Sequence, residues 1–234
     1  MNESRKYRHI FFDLDRTLWD FDTNSHEALE EIFSEFDLSR LGIQDFSAFY
    51  KVYAEVNALL WEQYRNHEID RKYLSLNRFL QTNRCFGNDD ETLASEMSQR
   101  YILLVSNKTR LFPHAADLLE YLSAKYKLHI ITNGFADVQY RKLERSDTRR
   151  FFAEVITSEE AGFHKPSLHI FRIALQKAGA VPYESLMIGD DPEVDLQGAA
   201  AVGMDQLFFN PEAVKHHYKF TFEVRSLREI FDIL

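Results

Sequence analysis

Short apolar runs recur along the chain, and each one ends in polar residues. The runs occupy residues 7–12, 128–131, 155–156 and 186–188. Because apolar and polar residues do not alternate within them, the runs predict strands that are buried on both faces of a parallel sheet. Stretches of helical period lie between them, at 114–125, 136–145, 167–178 and 193–201. Strands that alternate with helices predict right-handed βαβ units, and therefore an α/β fold with a doubly wound, Rossmann-like, mostly parallel sheet.

The spacing of the polar strand ends locates an insertion. Thr132 lies 33 residues before Lys165, and Lys165 lies 25 residues before Asp190, so each interval suits one βαβ unit of about 30 residues. Asp13 lies 119 residues before Thr132, which is too long for one crossover. We therefore predict a core domain formed by residues 1–17 and 109–234, with a helical cap of residues 18–108 inserted after the first strand.

The inserted segment is helical in character. Its predicted helices are 24–36, 46–66, 71–81 and 90–106. Thr23 or Asn24 is expected to cap the first of these helices, and Asp70 the third. Two strands near 206–209 and 220–224, followed by a helix from about residue 226, complete the predicted core.

Composition excludes several classes of protein. The 234 residues include 20 Phe and 11 Tyr and are 45% hydrophobic, which argues against disorder. The net charge of −9 disfavours binding to a nucleic-acid polymer or to an anionic membrane surface. A single cysteine, Cys85, excludes an intrachain disulfide and any cysteine-rich metal centre. No apolar run approaches the ~18 residues of a membrane span, and the start of the chain lacks the apolar segment of a signal peptide, so we expect a cytoplasmic protein.

An acidic pair directly follows the first predicted strand. Asp13 and Asp15 are separated by one leucine. A carboxylate at a strand end can attack an electrophile such as phosphorus, while a neighbouring acid protonates the leaving oxygen. A solvated aspartate-rich turn is the alternative interpretation of the same segment.

A second acidic cluster follows the strand predicted at 186–188. It contains Asp190, Asp191 and Asp195. Mg²⁺ binds oxygen ligands and typically takes one or two protein carboxylates together with phosphate and water. Asp195 lies one turn inside the next predicted helix, a position better suited to supporting a metal ligand than to direct ligation. The alternative is a helix N-terminus with acidic residues in its first turn, which needs no metal; the two arrangements are compatible.

Two further motifs carry groups that bind phosphate. Thr132 and Asn133 end the second predicted strand, where a hydroxyl, an amide and the backbone freed by Gly134 can donate hydrogen bonds to phosphoryl oxygens. Lys165 precedes Pro166 and offers a point charge. Taken singly, Asn-Gly is a routine turn and most lysines are solvated, so the strength of these motifs lies in their order along the chain.

Together the four motifs resemble those of the haloacid dehalogenase superfamily. Its first motif, a hydrophobic strand followed by Asp-x-Asp-x-Thr, matches residues 10–17. Its second, a strand followed by Thr, matches Thr132, and its third, Lys before Pro, matches Lys165. Its fourth, Gly-Asp with an acid further on, matches Asp190 and Asp195. The resemblance covers essentially the whole chain, although the cap matches only in length and helical character.

Within the superfamily the match narrows to the noncanonical pyrimidine 5′-nucleotidases. The matching segments are 11–13 with 21–22, 60–64, 130–135, 143–145 and 158–162. That group carries the same kind of helical cap after the first strand. The resemblance implies hydrolysis of nucleoside 5′-monophosphates or similar small phosphorylated metabolites, and related phosphatases share parts of the pattern.

The resemblance also implies a role for each motif residue. Asp13 would be the nucleophile that forms an aspartyl-phosphate, and Asp15 the general acid and then base. Thr132 and Lys165 would hold the phosphoryl oxygens. Mg²⁺ would be bound by the Asp13 carboxylate, the Asp15 backbone carbonyl and Asp190, with Asp191 and Asp195 supporting the ligands from behind.

Other activities remain open from the sequence. Asp15 argues against a 2-haloacid dehalogenase, because halide leaves without a proton and the dehalogenase pattern lacks this second acid. A sugar-phosphate phosphatase or a β-phosphoglucomutase-like mutase shares Asp13 and Asp15, and sequence does not reveal whether water or a sugar accepts the phosphoryl group. A binding module without turnover is disfavoured because it has no need of all four motifs. The oligomeric state is not predicted.

Aromatic residues in the cap are candidates for substrate contact. Asn57, Trp61 and Tyr64 fall at helical spacing on one face of the predicted helix 46–66. An aromatic ring there can stack on a base or cover a sugar. Ordinary packing between cap helices is the alternative, and it is favoured for such spacing.

Overall fold

The computed structural model describes residues 6–43 and 45–234, and these form two compact units. One unit comprises the described residues up to Phe21 together with Thr109–Leu234, and the other comprises Asp22–Lys108 apart from Gln44. The chain therefore passes from the first unit to the second after Phe21, four residues beyond the boundary predicted at residue 17. Residues 1–5 of the predicted core and Gln44 of the predicted cap lie outside the described residues.

The first unit is built on a six-stranded parallel sheet. Its strands are β1 (His9–Phe12), β2 (Lys127–Thr132), β3 (Phe152–Thr157), β4 (Ser185–Gly189), β5 (Asp205–Phe209) and β6 (Phe222–Val224). They lie in the order β3-β2-β1-β4-β5-β6, and every neighbouring pair is parallel. The chain runs from β1 to β3 in one direction across the sheet and from β4 to β6 in the other, so the strand order reverses between β1 and β4. Doubly wound sheets bind ligands at such a point. The predicted doubly wound α/β fold is confirmed.

The position of β1 follows from its residues. His9–Phe12 is buried along its whole length, and it pairs with β2 on one side and β4 on the other. A strand with apolar side chains on both faces has its lowest free energy at the centre of a covered sheet. The residue that follows, Asp13, donates its backbone N–H to the carbonyl of Ile188 at 2.9 Å, so β1 and β4 end at the same edge.

The second unit is helical. It contains α1 (Phe21–Glu35, whose first residue belongs to the sheet unit), α2 (Phe46–Arg65), α3 (Arg71–Arg84) and α4 (Glu91–Asn107), with a short 3₁₀ turn at Leu38–Leu41. The predicted cap at Thr23 or Asn24 is wrong, because α1 begins at Phe21 and Asn24 is buried inside it. The predicted cap of α3 is confirmed: the Asp70 side chain accepts a hydrogen bond from the Tyr73 N–H at 2.7 Å.

Five more α-helices cover the sheet. They are α5 (Ala115–Ser123), α6 (Ala136–Arg145), α7 (Ser158–Ala161), α8 (Leu168–Ala178) and α9 (Gly198–Ala201). The apolar stripe of α8 packs through Ile170 and Phe171 against the buried sheet residues Phe11 and Met187. No helix among the described residues is both long enough and apolar enough to cross a membrane.

Two predicted α-helices take other forms. The segment predicted as a helix at 193–201 begins as a π-helical turn, Pro192–Gln197, and only then becomes α9. The carbonyl of Asp191 accepts from the N–H of Asp195 at 3.0 Å and also from that of Leu196 at 3.4 Å, and the second bond widens the turn. The C-terminal segment, Leu227–Asp232, is a 3₁₀ helix that begins at a capping box of Ser226 and Glu229.

Candidate active site

Polar side chains from four segments converge beyond the carboxyl ends of the three central strands. Asp13 directly follows β1, Thr132 ends β2 and Asp190 directly follows β4. Lys165 comes from the loop between α7 and α8. Because β2, β1 and β4 are neighbours, their carboxyl ends bring these residues together although they are far apart in sequence.

Lys165 is the buried cation of this group. Its side chain is almost fully buried, and its Nζ lies 2.5 Å from Asp13 Oδ1 and 2.6 Å from Asp195 Oδ1. It also donates to the carbonyl of Ile131 at 2.8 Å. Burial alone would lower the pKa of Lys165, but the carboxylates of Asp13 and Asp195 more than offset this and raise it. Lys165 therefore carries its charge at neutral pH.

Asn133 holds the backbone of Lys165 in place. Its Oδ1 accepts from the Lys165 N–H at 2.7 Å, and its Nδ2 donates to the Lys165 carbonyl at 3.0 Å. The Asn133 side chain is therefore engaged with the loop that carries Lys165, and phosphate binding by this amide, whose Nδ2 has a second N–H, stays a prediction. Thr132 Oγ1 accepts from the N–H of Gly134 at 3.1 Å, which leaves the hydroxyl hydrogen of Thr132 available for donation.

Three carboxylates lie close enough to share a cation. One oxygen from each of Asp13, Asp190 and Asp195 lies within 4.8 Å of the others. Burial, opposed by Lys165, raises the pKa of Asp13 to about 7, and burial followed by the charges of Asp13 and Asp195 raises that of Asp190. Because the Lys165 ammonium contacts two of these three carboxylates, an added divalent cation would lower the repulsion that remains among them.

Asp195 lies within the π-helical turn that follows β4. Asp195 accepts from the N–H of Asp191 at 3.3 Å and is bound to Lys165, and a role in supporting the metal ligands from behind stays a prediction. Asp191 caps the turn by accepting from the N–H groups of Glu193 and Val194. A Cβ at Gly189 would lie 2.4 Å from Asp195 Oδ2, so only glycine leaves room for this carboxylate.

Asp15 lies beside this cluster and has its own partners. Its Oδ1 is 2.6 Å from Lys142 Nζ, and its Oδ2 accepts from Gln139 Nε2 at 2.7 Å. Both partners come from α6, and the sequence reading missed both. The sequence feature that could have indicated them is their spacing of three residues, which places both polar side chains on the same face of α6. That face is the buried one. A Cβ at Gly134 would lie 1.7 Å from Gln139 Nε2, so the glycine gives this side chain its path to Asp15.

The predicted cap residues lie in the helical unit. Trp61 and Tyr64 are both on α2, and their rings meet edge to face with centroids 5.6 Å apart. Tyr64 is buried. This contact agrees with packing inside the unit, and a role in substrate binding stays a prediction.

Sequence comparison places the chain among known hydrolases. The model of a family described as haloacid dehalogenase-like hydrolase matches residues 7–203. The pyrimidine 5′-nucleotidase PynA of Streptococcus pneumoniae is 32% identical over 232 residues, which are 97% of this chain and 95% of the relative. The pyrimidine 5′-nucleotidase YjjG of Escherichia coli is 32% identical over 237 residues, 98% of each chain. A glyceraldehyde 3-phosphate phosphatase of Methanothermobacter thermautotrophicus is 32% identical over 204 residues, 87% of this chain and 85% of the relative.

Solved structures share the fold. YfnB of Bacillus subtilis, solved with bound magnesium, superposes with a TM-score of 0.87 at 26% identity and covers 97% of this chain and 98% of its own. The L-2-haloacid dehalogenase of Xanthobacter autotrophicus has a TM-score of 0.75 at 17% identity, over 97% of this chain and 98% of its own. The second similarity extends to the fold alone.

Proposed function

This chain belongs to the haloacid dehalogenase-like hydrolase family, and from that premise we propose that it is a magnesium-dependent phosphate monoester hydrolase that forms an aspartyl-phosphate on Asp13. The observation that carries the proposal is the second acid, Asp15, held by two donors next to the buried pair of Asp13 and Lys165. Displacement of an alkoxide requires a proton donor, whereas displacement of halide does not.

The donor set fits Mg²⁺. Asp13 and Asp190 offer carboxylate oxygens at the ends of neighbouring strands, and the contacts of Asp190 include a hydrogen bond from the Thr17 hydroxyl at 3.1 Å. Asp195, the third carboxylate, has both oxygens engaged, Oδ1 with Lys165 and Oδ2 with the Asp191 N–H, whereas Asp13 is bound to Lys165 through Oδ1. Asp13 and Asp190 would therefore hold the metal, with the Asp15 backbone carbonyl as the further ligand that the family pattern implies. When bound, Mg²⁺ would neutralise charge on the phosphoryl oxygens.

In the first step, a carboxylate oxygen of Asp13 attacks the phosphorus. The new bond joins this oxygen to phosphorus, and the bond from phosphorus to the ester oxygen breaks. Asp15 in its acid form delivers its proton to that ester oxygen, which leaves as an alcohol. The Thr132 hydroxyl donates to a phosphoryl oxygen, and the buried Lys165 ammonium supplies a fixed positive charge beside Asp13, so the negative charge of the phosphate meets a donor and a cation that are already in place.

In the second step, water attacks the phosphorus of the aspartyl-phosphate. Asp15, now a carboxylate, accepts the water proton, and the bond between phosphorus and the Asp13 oxygen breaks. Inorganic phosphate leaves, and Asp13 and Asp15 return to their starting forms. Asp15 thus needs access to the reacting oxygen in both steps, and its side chain retains 24% exposure although Lys142 is buried.

We propose nucleoside 5′-monophosphates with a pyrimidine base as the substrate class. This rests on PynA and YjjG, which match nearly the full length of this chain. Small sugar phosphates are the second candidate, because the glyceraldehyde 3-phosphate phosphatase is equally identical over a shorter match.

A substrate panel tests the proposal. The purified protein is assayed for phosphate release from UMP, CMP, AMP, glyceraldehyde 3-phosphate and glucose 6-phosphate, and for halide release from 2-chloropropionate, with Mg²⁺ or with EDTA. We expect release of phosphate from UMP and CMP that stops with EDTA and in Asp13→Asn. Preference for sugar phosphates would shift the substrate class, formation of an isomeric sugar phosphate would indicate a mutase, and halide release would refute phosphate ester hydrolysis.

A further inference from the structure

A second buried lysine lies close to the proposed site and takes no part in the steps above. Lys142 on α6 is 2% exposed. Its Nζ lies 2.6 Å from Asp15 Oδ1 and 3.9 Å from the centre of the Trp19 ring. A buried ammonium loses several kcal/mol of hydration free energy, and it is retained where a carboxylate and an aromatic face compensate for that loss.

The two partners of Lys142 belong to one loop. Trp19 donates its backbone N–H to the carbonyl of Leu14 at 2.9 Å, and its own carbonyl accepts from the N–H of Arg16 at 2.9 Å. These bonds close a tight turn around Asp15, so the carboxylate and the indole ring occupy fixed positions relative to each other. The ammonium of Lys142 fits between them and attaches this turn to α6.

A second donor from the same helix restricts the rotation of Asp15. Gln139 lies one turn before Lys142 and binds the other carboxylate oxygen, Oδ2. With both oxygens bound by α6, the plane of the carboxylate cannot turn freely about its χ2 angle. One contact alone would leave that rotation open.

We propose that Lys142 is the positioning residue for Asp15, an inference that rests on the proposed function. Lys142 holds the carboxylate in the orientation from which it protonates the leaving oxygen and then accepts the proton of water. Its ammonium is engaged with Asp15 and the Trp19 ring, so we expect it to act on the proton transfers and not on substrate binding. Gln139 serves the same purpose at the other oxygen.

The leaving group distinguishes this role from simple stabilisation of the fold. A leaving group that is stable as an anion needs little help from an acid, whereas a nucleoside or alkyl alkoxide needs a well-placed proton. Loss of positioning therefore slows alkyl phosphates more than aryl phosphates in the phosphorylation step. Loss of folded protein would slow both equally.

The experiment compares Lys142→Met with the matched control Lys177→Met, which removes an exposed lysine from α8. Both variants and Asp15→Asn are assayed with UMP and with p-nitrophenyl phosphate, and folding is checked by circular dichroism. For Lys142→Met we expect kcat/KM, which reports the phosphorylation step and not the hydrolysis of the intermediate common to both substrates, to fall about 10- to 100-fold on UMP and less than about fivefold on p-nitrophenyl phosphate, since general acid catalysis contributes 10²–10⁴-fold. We expect KM for UMP to stay within about threefold, and Lys142→Arg to recover part of kcat because it keeps the charge.

Each result supports or overturns the assignment. Equal losses on the two substrates, or activity like that of Lys177→Met, would refute a positioning role for Lys142 while leaving the proposed function intact. Absence of phosphate release by the wild-type protein, or full activity in Asp13→Asn, would refute the proposed function and the assignment with it. If Lys142→Met does not fold, Gln139→Leu must give the same unequal loss, and equal losses in that variant would overturn the proposal.

Discussion

Replacing Lys165 by Met removes the only ammonium that contacts the carboxylates of Asp13 and Asp195 among the described residues. The variant keeps the length of the side chain but leaves two buried carboxylates without their cation, and the carbonyl of Ile131 loses its donor. Breaking a buried ion pair by removing one partner costs about 3–5 kcal/mol. In a protein of this size each kcal/mol lowers Tm by about 2–4 °C, so we expect Tm to fall by about 6–20 °C.

The same charge imbalance gives the Lys165→Met prediction a specific signature. Without Lys165, three carboxylates within 4.8 Å of one another lose the ammonium that contacts two of them, so an added cation relieves more repulsion than in the wild type. Mg²⁺ should therefore raise the Tm of Lys165→Met by more than it raises that of the wild type, since a ligand that binds only the folded state stabilises it.

Thermal unfolding with and without Mg²⁺ measures both effects, and Lys177→Met is the control for loss of a lysine outside the site. A Tm equal to that of the wild type in EDTA would refute the account of a charge-balanced buried cluster. So would a Mg²⁺-dependent shift no larger than in the control. Phosphate release should fall at least about a hundredfold in Lys165→Met, because the phosphoryl oxygens lose a fixed charge.

Two further predictions follow from buried contacts in the sheet unit. His129 stacks on Phe11 with centroids 4.6 Å apart, and burial lowers its pKa to about 3 from 6.5. Because the unfolded chain takes up this proton below about pH 6.5 and the folded chain does not, wild-type stability should fall as pH decreases from 6.5 towards 3. The fall should be steeper than in His129→Phe by about 1.4 kcal/mol per pH unit, measured by urea unfolding; equal slopes would contradict the shift. Gly189→Ala should lower Tm and strongly reduce phosphate release, because its Cβ would displace Asp195, and an unchanged activity would show that the position of Asp195 is unimportant.

The parallel sheet and the polar residues at its strand ends were predictable for a simple physical reason. A strand buried on both faces has few polar residues, so a polar residue at its end is conspicuous in the sequence. Asp13, Thr132 and Asp190 were all found in this way, and the parallel topology brings such ends to one edge. Lys165 was found by its position in the motif order, and its contact with Asp13 follows from the fold.

What sequence did not predict depends on contacts between distant residues or on small changes in helix geometry. Lys142 and Gln139 lie 127 and 124 residues from Asp15, so nothing local indicates that they bind it. The apolar residues of 193–201 have the spacing of an α-helix, so the sequence does not reveal the π-helical turn at Pro192–Gln197. That turn is distinguished by the additional hydrogen bond from the Leu196 N–H to the Asp191 carbonyl. The start of α1 was placed too late because Thr23 and Asn24 suit a cap, yet Asn24 is buried within the helix.

The central claim is that Asp13 becomes covalently phosphorylated during turnover. Rapid acid quench of the protein with UMP and Mg²⁺, followed by peptide mass spectrometry, measures this directly. We expect a mass increase of one phosphoryl group on the peptide that contains Asp13, stable in acid, lost with hydroxylamine and absent from Asp13→Asn. The account would be contradicted if phosphate were released from UMP while no phosphorylated Asp13 peptide was found in the wild-type protein. The Asp15→Asn variant, in which hydrolysis of the intermediate is expected to be slow, must also accumulate no phosphorylated peptide for that conclusion.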